Sequence, residues 1–233
     1  TICPKMFELL YTDLIDKNCD ISICGFMFCY PDKQYRSYEK DIKIVNDTHE
    51  AISNMLRGKY YAGHSCNKLF KSLLINKLRF DEQIYVYEDL LFVTQAMLNC
   101  NKVVFNSKPL YNYYIRNDSA YHKPINDKYY TAHLACLKIL DLLSDTELLK
   151  YIYVSILICN IGMLEKLYYD KTGRKKYIRI LNKNIRMYCN SKSLGLINKR
   201  MKFYVITSYI NPYIYFFARH FITFIKKIKK HKS

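Results

Sequence analysis

The chain has 233 residues, half of them apolar, which excludes disorder throughout and allows one sizeable domain with or without an appendage. Its nine cysteines are scattered, with no Cys-x-x-Cys pair and no Cys/His cluster at zinc-ligand spacing, which excludes a zinc-binding module. Several cysteines lie in apolar runs, where a free thiol behaves as a small apolar side chain, and a reducing cytoplasm fits them best.

The net charge of +17 is unevenly distributed along the chain. Residues 171–233 contain 17 of the 37 Lys and Arg residues and no Asp or Glu, whereas residues 1–170 contain 20 residues of each sign. Such asymmetry indicates an anionic partner, either nucleic acid or the negatively charged cytoplasmic leaflet of a membrane.

The first half of the chain predicts helices that alternate with strands. Residues 4–18 have apolar side chains at helical spacing, and residues 20–26 begin a buried strand that runs to Tyr30 and a hairpin around Pro31 and Asp32. Further helices are predicted at residues 47–57, 67–76 and 88–99, and two strands at 103–105 and 110–115, separated by a Ser-Lys-Pro turn. This order predicts an α/β fold.

After Asp118 the pattern becomes helical throughout. Residues 126–143 and 146–169 are long periodic segments, and residues 174–188 form a basic amphipathic segment. Residues 203–225 are apolar and aromatic, but Asn211-Pro212 and Arg219-His220 interrupt them. The interruptions disfavour a spanning helix, which leaves an interfacial helix that contacts anionic lipids or a surface helix with solvated lysines.

Two carboxylates stand where a helical pattern begins. Glu88 and Asp89 precede the apolar periodicity of Leu90, Val93 and Met97, so both lie in a first turn, where the helix dipole favours the ionised form that a general base needs. The alternative is that they are ordinary acids of a helix start.

Other candidate residues surround this pair in the sequence. Asn67-Lys68 is predicted to open a helix, where the Lys suits a phosphate or carboxylate and the Asn amide suits a hydroxyl. Arg116 follows a strand, a place where ligand-binding residues gather in α/β sheets, although a surface ion pair with Asp118 explains it equally well. Neither a Gly-rich phosphate loop nor a Gly-x-Ser-x-Gly elbow is present, so His64 and Cys66 do not indicate nucleophilic catalysis.

In order, these pieces resemble the C-terminal half of the catalytic domain of bacterial family 2 glycosyltransferases of the GT-A fold, which build capsule, exopolysaccharide and other surface glycans. The resemblance rests on Asn67-Lys68-Leu69-Phe70-Lys71-Ser72-Leu73-Leu74, Arg79-Phe80-Asp81-Glu82, Tyr87-Glu88-Asp89-Leu90-Leu91-Phe92, Lys102-Val103-Val104-Phe105, Pro109-Leu110-Tyr111-Asn112-Tyr113-Tyr114 and Arg116-Asn117-Asp118-Ser119.

The resemblance implies that residues 1–120 are the acceptor and catalytic-base half of a GT-A domain and that residues 121–233 form a helical region with a basic, aromatic tail. It places Thr1, which is not an initiator Met, just after the Asp-x-Asp motif of the family. That motif would hold a divalent cation, Mg or Mn, so the cation ligands and the nucleotide-binding half are expected before this chain.

The resemblance also implies roles for single residues. Asp89 would be the general base of an inverting transfer, and Glu88 would orient the acceptor or the base. Lys68 and Arg116 would face the diphosphate or an anionic acceptor.

His64, Asn67 and Ser119 would line the same pocket. Cys66 stands where many relatives have Trp before the Asn-Lys pair, which removes a stacking platform for a sugar.

The implied partners are a nucleotide-sugar donor, a glycan or lipid-linked acceptor, and the anionic inner face of the cell membrane, contacted through residues 203–233. The alternative function is a non-catalytic basic module that binds nucleic acid or an anionic membrane, with Tyr interleaved among Lys and Arg.

Overall fold

A computed structural model describes residues 1–115, 125–144, 146–169 and 174–230, with side chains described except at 174 and 224–230. The part before residue 116 is a sheet with helices in the order α1 Met6–Asp16, β1 Ile21–Cys29, β2 Gln34–Arg36, β3 Lys43–Asp47, α2 Thr48–Leu56, β4 Lys68–Phe70, α3 Ser72–Ile75, α4 Glu88–Leu98 and β5 Lys102–Tyr114. The part after residue 124 contains α5 Asp127–Leu142, α6 Leu149–Tyr169, α7 Arg174–Tyr188, α8 Ser191–Gly195, α9 Lys199–Ile210 and α10 Pro212–Lys230. The predicted α/β class and the helical remainder are both confirmed.

The five-stranded sheet is mixed, with its one parallel pair at the centre. Its order is β2-β1-β5-β3, and β4 pairs with the opposite end of β1 from β2. Strands β1 and β5 run parallel, while β2 and β4 pair antiparallel with β1, and β3 pairs antiparallel with β5. The central position of β1 and β5 brings their carboxyl ends together at one edge.

The two strands predicted at 103–105 and 110–115 are a single strand, β5, which corrects the expected turn. The irregular residues Ser107 and Lys108 form a bulge, because the register steps from Cys24 opposite Asn106 to Gly25 opposite Pro109. A Cβ atom on Gly25 would lie 2.3 Å from the Ser107 carbonyl oxygen, so only glycine lets the backbones approach this closely.

The helix predicted at 67–76 is also corrected. Lys68 and Leu69 lie in β4, opposite Ile23 and Ser22 of β1, and only Ser72–Ile75 is helical. The apolar spacing looks helical locally, but pairing with a strand more than 40 residues away decides the conformation.

One apolar core runs through both parts of the molecule. It extends from Ile21 and Phe105 in the sheet through α2 and α4 to Ile152 and Leu164 in α6 and to Leu181 in α7. The domain boundary predicted at residue 120 lies outside the described residues.

Helix α6 lies in the middle of this core. Among the helices that the structure describes, α6 alone is long and apolar enough to cross a membrane, and 61% of its apolar stretch is buried inside the protein. It therefore has the character of a core helix.

The predicted segment 203–225 is divided between two helices. Asn198 accepts a hydrogen bond from the Met201 amide at the start of α9, and the break falls at Asn211, with Pro212 as the first residue of α10. Proline is well suited to a first helical turn because it lacks the amide hydrogen that would be unpaired there.

Candidate active site at the carboxyl edge of the sheet

A cavity of about 630 Å³ opens beside the carboxyl ends of β1 and β5. More than half of its lining residues are phenylalanine or tyrosine. The lining comprises Cys24, Gly25, Phe26, Phe28, Tyr30, Tyr35, Arg36, Ser37, Tyr38, Gly58, Tyr60, Tyr61, Ala62, His64, Asn67, Phe105, Tyr113, Tyr114 and Ile115. Its one charged residue among those described, Arg36, is ion-paired with Asp41, so the wall is mainly aromatic and neutral.

The rings of this wall are packed in contact with one another across β1 and β5. The Phe26 ring lies edge-on to the Tyr113 ring of the same wall at 5.8 Å and to the ring of Tyr111, which is not a lining residue, at 5.6 Å. Such edge-to-face contacts hold each ring in one orientation. The cavity is therefore a preformed surface of aromatic faces and edges.

The loop between α2 and β4, residues 57–67, forms the second wall and is held in place by Lys68. The Lys68 ammonium is buried and donates hydrogen bonds to the carbonyl oxygens of Ala62 at 2.8 Å and His64 at 2.5 Å, and to Asn67 Oδ1 at 3.2 Å. Burial lowers the Lys68 pKa to about 8, and the charge of Asp89 partly opposes that shift. Lys68 thus stabilises the conformation of the loop by donating to three of its oxygen atoms.

Asn67 fastens the end of the same loop to the central strand. Its Nδ2 donates to the Cys24 carbonyl oxygen at 2.5 Å, and the Cys24 amide donates to the Asn67 carbonyl oxygen at 3.0 Å. Because both hydrogen bonds are made with Cys24 of β1, this end of the loop is fixed to the sheet.

His64 presents its ring to the cavity from this loop. The ring contacts Phe26 edge-on at 5.4 Å and lies 6.3 Å from Tyr113. The imidazole retains solvent access, yet the surrounding protein and then the positive charge of Lys68 lower its pKa to about 4. His64 is therefore neutral near pH 7 and serves as a hydrogen-bonding group there.

Gly63 brings the loop against the start of α4. A Cβ atom at Gly63 would lie 2.6 Å from the Leu90 Cα atom, which no side chain tolerates without a backbone shift. Tyr87, just before the helix, has a left-handed φ of 70°, which turns the chain into α4. These two features bring the start of α4, and with it Asp89, against the loop that carries His64.

The Asp89 carboxylate is half-buried at this junction. Its Oδ1 accepts a hydrogen bond from the Leu90 amide at 2.8 Å. Burial raises the Asp89 pKa, and the Leu90 hydrogen bond and the Lys68 charge only partly oppose that shift. Desolvation also raises the Glu88 pKa, with a smaller contribution from the charge of Asp89.

Four of the predicted site residues, His64, Asn67, Lys68 and Asp89, thus lie around one loop, with Glu88 beside them. Only His64 and Asn67 line the cavity itself, and the Lys68 ammonium is directed at carbonyl oxygens of the loop. Arg116 and Ser119 lie outside the described residues. Ile115, the last described residue before them, lines the cavity.

The aromatic wall was missed by the sequence prediction. Its signal is the alternation of Phe26 and Phe28 in β1 with Tyr30 just after the strand, which places the rings on one face.

The predicted divalent cation finds no ligand set in this part of the chain. Among the described residues, no group of three or more His, Cys, Asp and Glu side chains is placed to hold a metal. The N-terminal segment pairs with the same edge, because the Asn112 amide donates to the Thr1 carbonyl oxygen at 2.7 Å and Ile2 bridges Tyr111. Thr1 therefore lies at the cavity end of β5.

Comparison with known proteins supports the fold. No protein-family model matches the sequence, and no curated protein matches it either. The structure is similar to that of S. aureus TarS 1–349 in complex with UDP-GlcNAc, with a TM-score of 0.59 and 14% sequence identity. The match covers 92% of this chain and 62% of the TarS chain, so this chain spans less than two thirds of that structure. The fold is glycosyltransferase-like.

Proposed function

We propose that this chain is the acceptor-binding and catalytic-base part of an inverting glycosyltransferase of family 2 type with a nucleotide-sugar donor. The observation that carries the proposal is a half-buried carboxylate, Asp89, beside the loop that walls an aromatic cavity at the carboxyl edge of a glycosyltransferase-like fold. In a sheet of this kind, ligands bind at the carboxyl edge.

In the proposed reaction, the Asp89 carboxylate accepts the proton of an acceptor hydroxyl. The acceptor oxygen forms a bond to the anomeric carbon as the bond from that carbon to the nucleoside diphosphate breaks, which inverts the anomeric centre. Partial burial makes the carboxylate a stronger base, because its raised pKa lies closer to that of the proton donor.

The loop residues support this step without exchanging protons themselves. Lys68 keeps a positive charge near Asp89 and fixes the loop that carries His64. His64 is neutral near pH 7, so it can orient a hydroxyl without competing for the proton. Glu88 remains the candidate for orienting the acceptor.

The aromatic lining of the cavity is suited to binding the sugar ring of a carbohydrate acceptor. The C–H faces of a sugar ring are apolar and pack on aromatic rings, while the sugar hydroxyls need only a few polar partners. The rings of Phe26 and Tyr113, already locked by contact with each other, offer such a surface.

The donor is the nucleotide sugar that the resemblance implies, and UDP-GlcNAc, which TarS holds in its structure, is the first compound to test. A divalent cation, Mg or Mn, would assist departure of the diphosphate, and the described residues hold no ligand set for it. The proposed setting is surface-glycan synthesis at the cytoplasmic face of the membrane, with a glycan or lipid-linked acceptor.

The experiment uses the gene product as the cell makes it and measures nucleoside diphosphate release from UDP-GlcNAc and other nucleotide sugars. Asp89→Asn should lower kcat by about 10²- to 10⁴-fold and leave donor affinity unchanged. Asp81→Asn, a surface carboxylate paired with Lys138, is the matched control and should retain full activity. Absence of donor binding would refute the glycosyltransferase, whereas full turnover by Asp89→Asn would refute only the base.

A further inference from the structure

Helix α10 exposes its apolar face to solvent. Tyr213, Ile214, Phe217 and Phe221 recur at helical spacing and are all exposed, Phe217 by 73%. Helix α9 adds the exposed Phe203, Ile206 and Ile210. Contiguous exposed apolar side chains of this size mark an interaction surface.

The opposite face of α10 is firmly packed, which fixes the orientation of the helix. Tyr215 and Phe216 are buried in the core. Arg219 is also buried, ion-paired with Glu165 of α6, and it donates to the Tyr204 hydroxyl of α9 at 2.9 Å. The exposed apolar face therefore cannot turn inward without breaking this ion pair.

The position of Arg219 also determines the charge of the outward face. It is the only Lys, Arg, Asp or Glu between residues 203 and 225, and its charge points into the protein. The exposed stripe from Phe203 to Phe221 is therefore free of charge, while the sequence of the last turns of α10 brings Lys226, Lys227, Lys229 and Lys230. An uncharged apolar face followed by lysines is typical of interfacial membrane helices.

The positive charge of residues 171–233 indicates which kind of partner binds the exposed stripe. Residues 171–233 carry 17 basic and no acidic residues, so a second copy would bring two like-charged surfaces together. An anionic bilayer neutralises that charge and buries the apolar stripe at the same time. Nucleic acid would neutralise the charge but leave Ile206, Ile214 and Phe217 without an apolar environment.

We propose that the exposed stripe of α9 and α10 is a membrane-binding surface that docks on an anionic lipid bilayer. The docking needs no change of fold, because the aromatic side chains are already exposed. It does not depend on the proposed transferase activity.

The test measures co-sedimentation of the full chain with vesicles of phosphatidylcholine alone or with 30% phosphatidylglycerol. Binding to the anionic vesicles should be at least about tenfold tighter and should weaken in 0.5 M NaCl. The double variant Phe217→Ser/Phe221→Ser should weaken it by at least about tenfold, because two apolar side chains no longer enter the interface.

The matched control is Leu73→Ser/Tyr11→Ser, which removes two exposed apolar side chains from the sheet part and should leave vesicle binding unchanged. Far-UV circular dichroism checks that both variants are folded. The proposal is overturned if the wild type does not bind anionic vesicles or if the α10 variant binds them as tightly as the wild type. It is also overturned if a single-stranded oligonucleotide binds through the stripe more tightly than the vesicles do, or if the stripe only mediates self-association.

Discussion

The sheet part of the molecule and its helical part bury polar groups in different ways. In the helical part, Asn160 Nδ2 donates to the Ile156 carbonyl oxygen at 2.8 Å and Asn160 Oδ1 accepts from Asn184 at 3.1 Å, with His133 beside them. This network is enclosed in the core, whereas His64 borders an open cavity and Asp89 lies beside the loop that carries His64. The titratable group of the sheet part that borders a cavity is His64, and this access to a cavity, added to burial, distinguishes a candidate site from the enclosed network around Asn160.

The sharpest contrast between the two parts concerns their glycines. Gly63→Ala should lower the free energy of unfolding by about 3 kcal/mol, because the new Cβ atom collides with the Leu90 backbone. Gly162→Ala in α6 should raise it by about 0.5–1 kcal/mol, since its Cβ atom meets nothing within 4 Å and alanine favours a helix. Urea unfolding of both variants measures the difference, and equal effects would show that the loop is not pressed on α4.

A comparison of Lys68 with Lys71 contrasts a buried lysine that fixes a loop with a lysine in an ordinary surface ion pair. Lys68→Met should cost about 2 kcal/mol of stability, because the carbonyl groups of Ala62 and His64 lose their donor, although removal of a buried charge offsets part of the loss. Lys71→Met, which breaks a partly exposed pair with Asp20, should cost less than about 1 kcal/mol.

The same Lys68→Met variant has a second readout in catalysis. Without the Lys68 charge the Asp89 pKa should rise further, so the acidic limb of the pH–rate profile should move to higher pH. An unmoved limb would mean that Lys68 does not act on the base.

The two histidines provide the third contrast. Both have a pKa lowered from 6.5 to about 4, so their unfolded forms bind protons first and stability is lost as pH falls from 6.5 towards 4. His133 is 3% exposed, and its share of the loss should reach about 1–2 kcal/mol by pH 5. The solvent-accessible His64 should contribute less.

Urea midpoints at pH 7 and pH 5 for His133→Gln and His64→Gln test this ranking. The pH dependence should shrink mainly in His133→Gln. A larger change in His64→Gln would reverse the assignment of which histidine is enclosed.

Local patterns predicted the helix start at Glu88 and Asp89 correctly. The expectation that this position favours the ionised form was wrong, because burial outweighs the helix start and raises the pKa of both carboxyl groups. Local patterns also failed for Lys68 and for the bulge at Ser107 and Lys108, since both depend on pairing with β1. The aromatic cavity was equally inaccessible, because it forms only when Phe26 meets Tyr113 across two strands that are distant in sequence.

The ion pair between Arg219 and Glu165 could not be predicted from the sequence either, because it joins two helices that are distant along the chain. The sequence showed only a charge that interrupts an apolar segment. The fold turns that charge inward and leaves the apolar face exposed.

The central claim is that Asp89 is a working base whose burial serves catalysis and not stability. Because its folded pKa lies above the ordinary 3.8, the ionised carboxylate costs stability at neutral pH, and that cost disappears below pH 3.8. Asp89→Asn should therefore lose sugar transfer by about 10²- to 10⁴-fold while remaining at least as stable as the wild type at pH 7.

The decisive measurement is kcat for transfer from the nucleotide sugar, taken together with the urea midpoint, for wild type and Asp89→Asn at pH 7. We predict lost turnover in a protein at least as stable as the wild type. Retained turnover, or a loss of turnover that merely follows unfolding, would contradict the account.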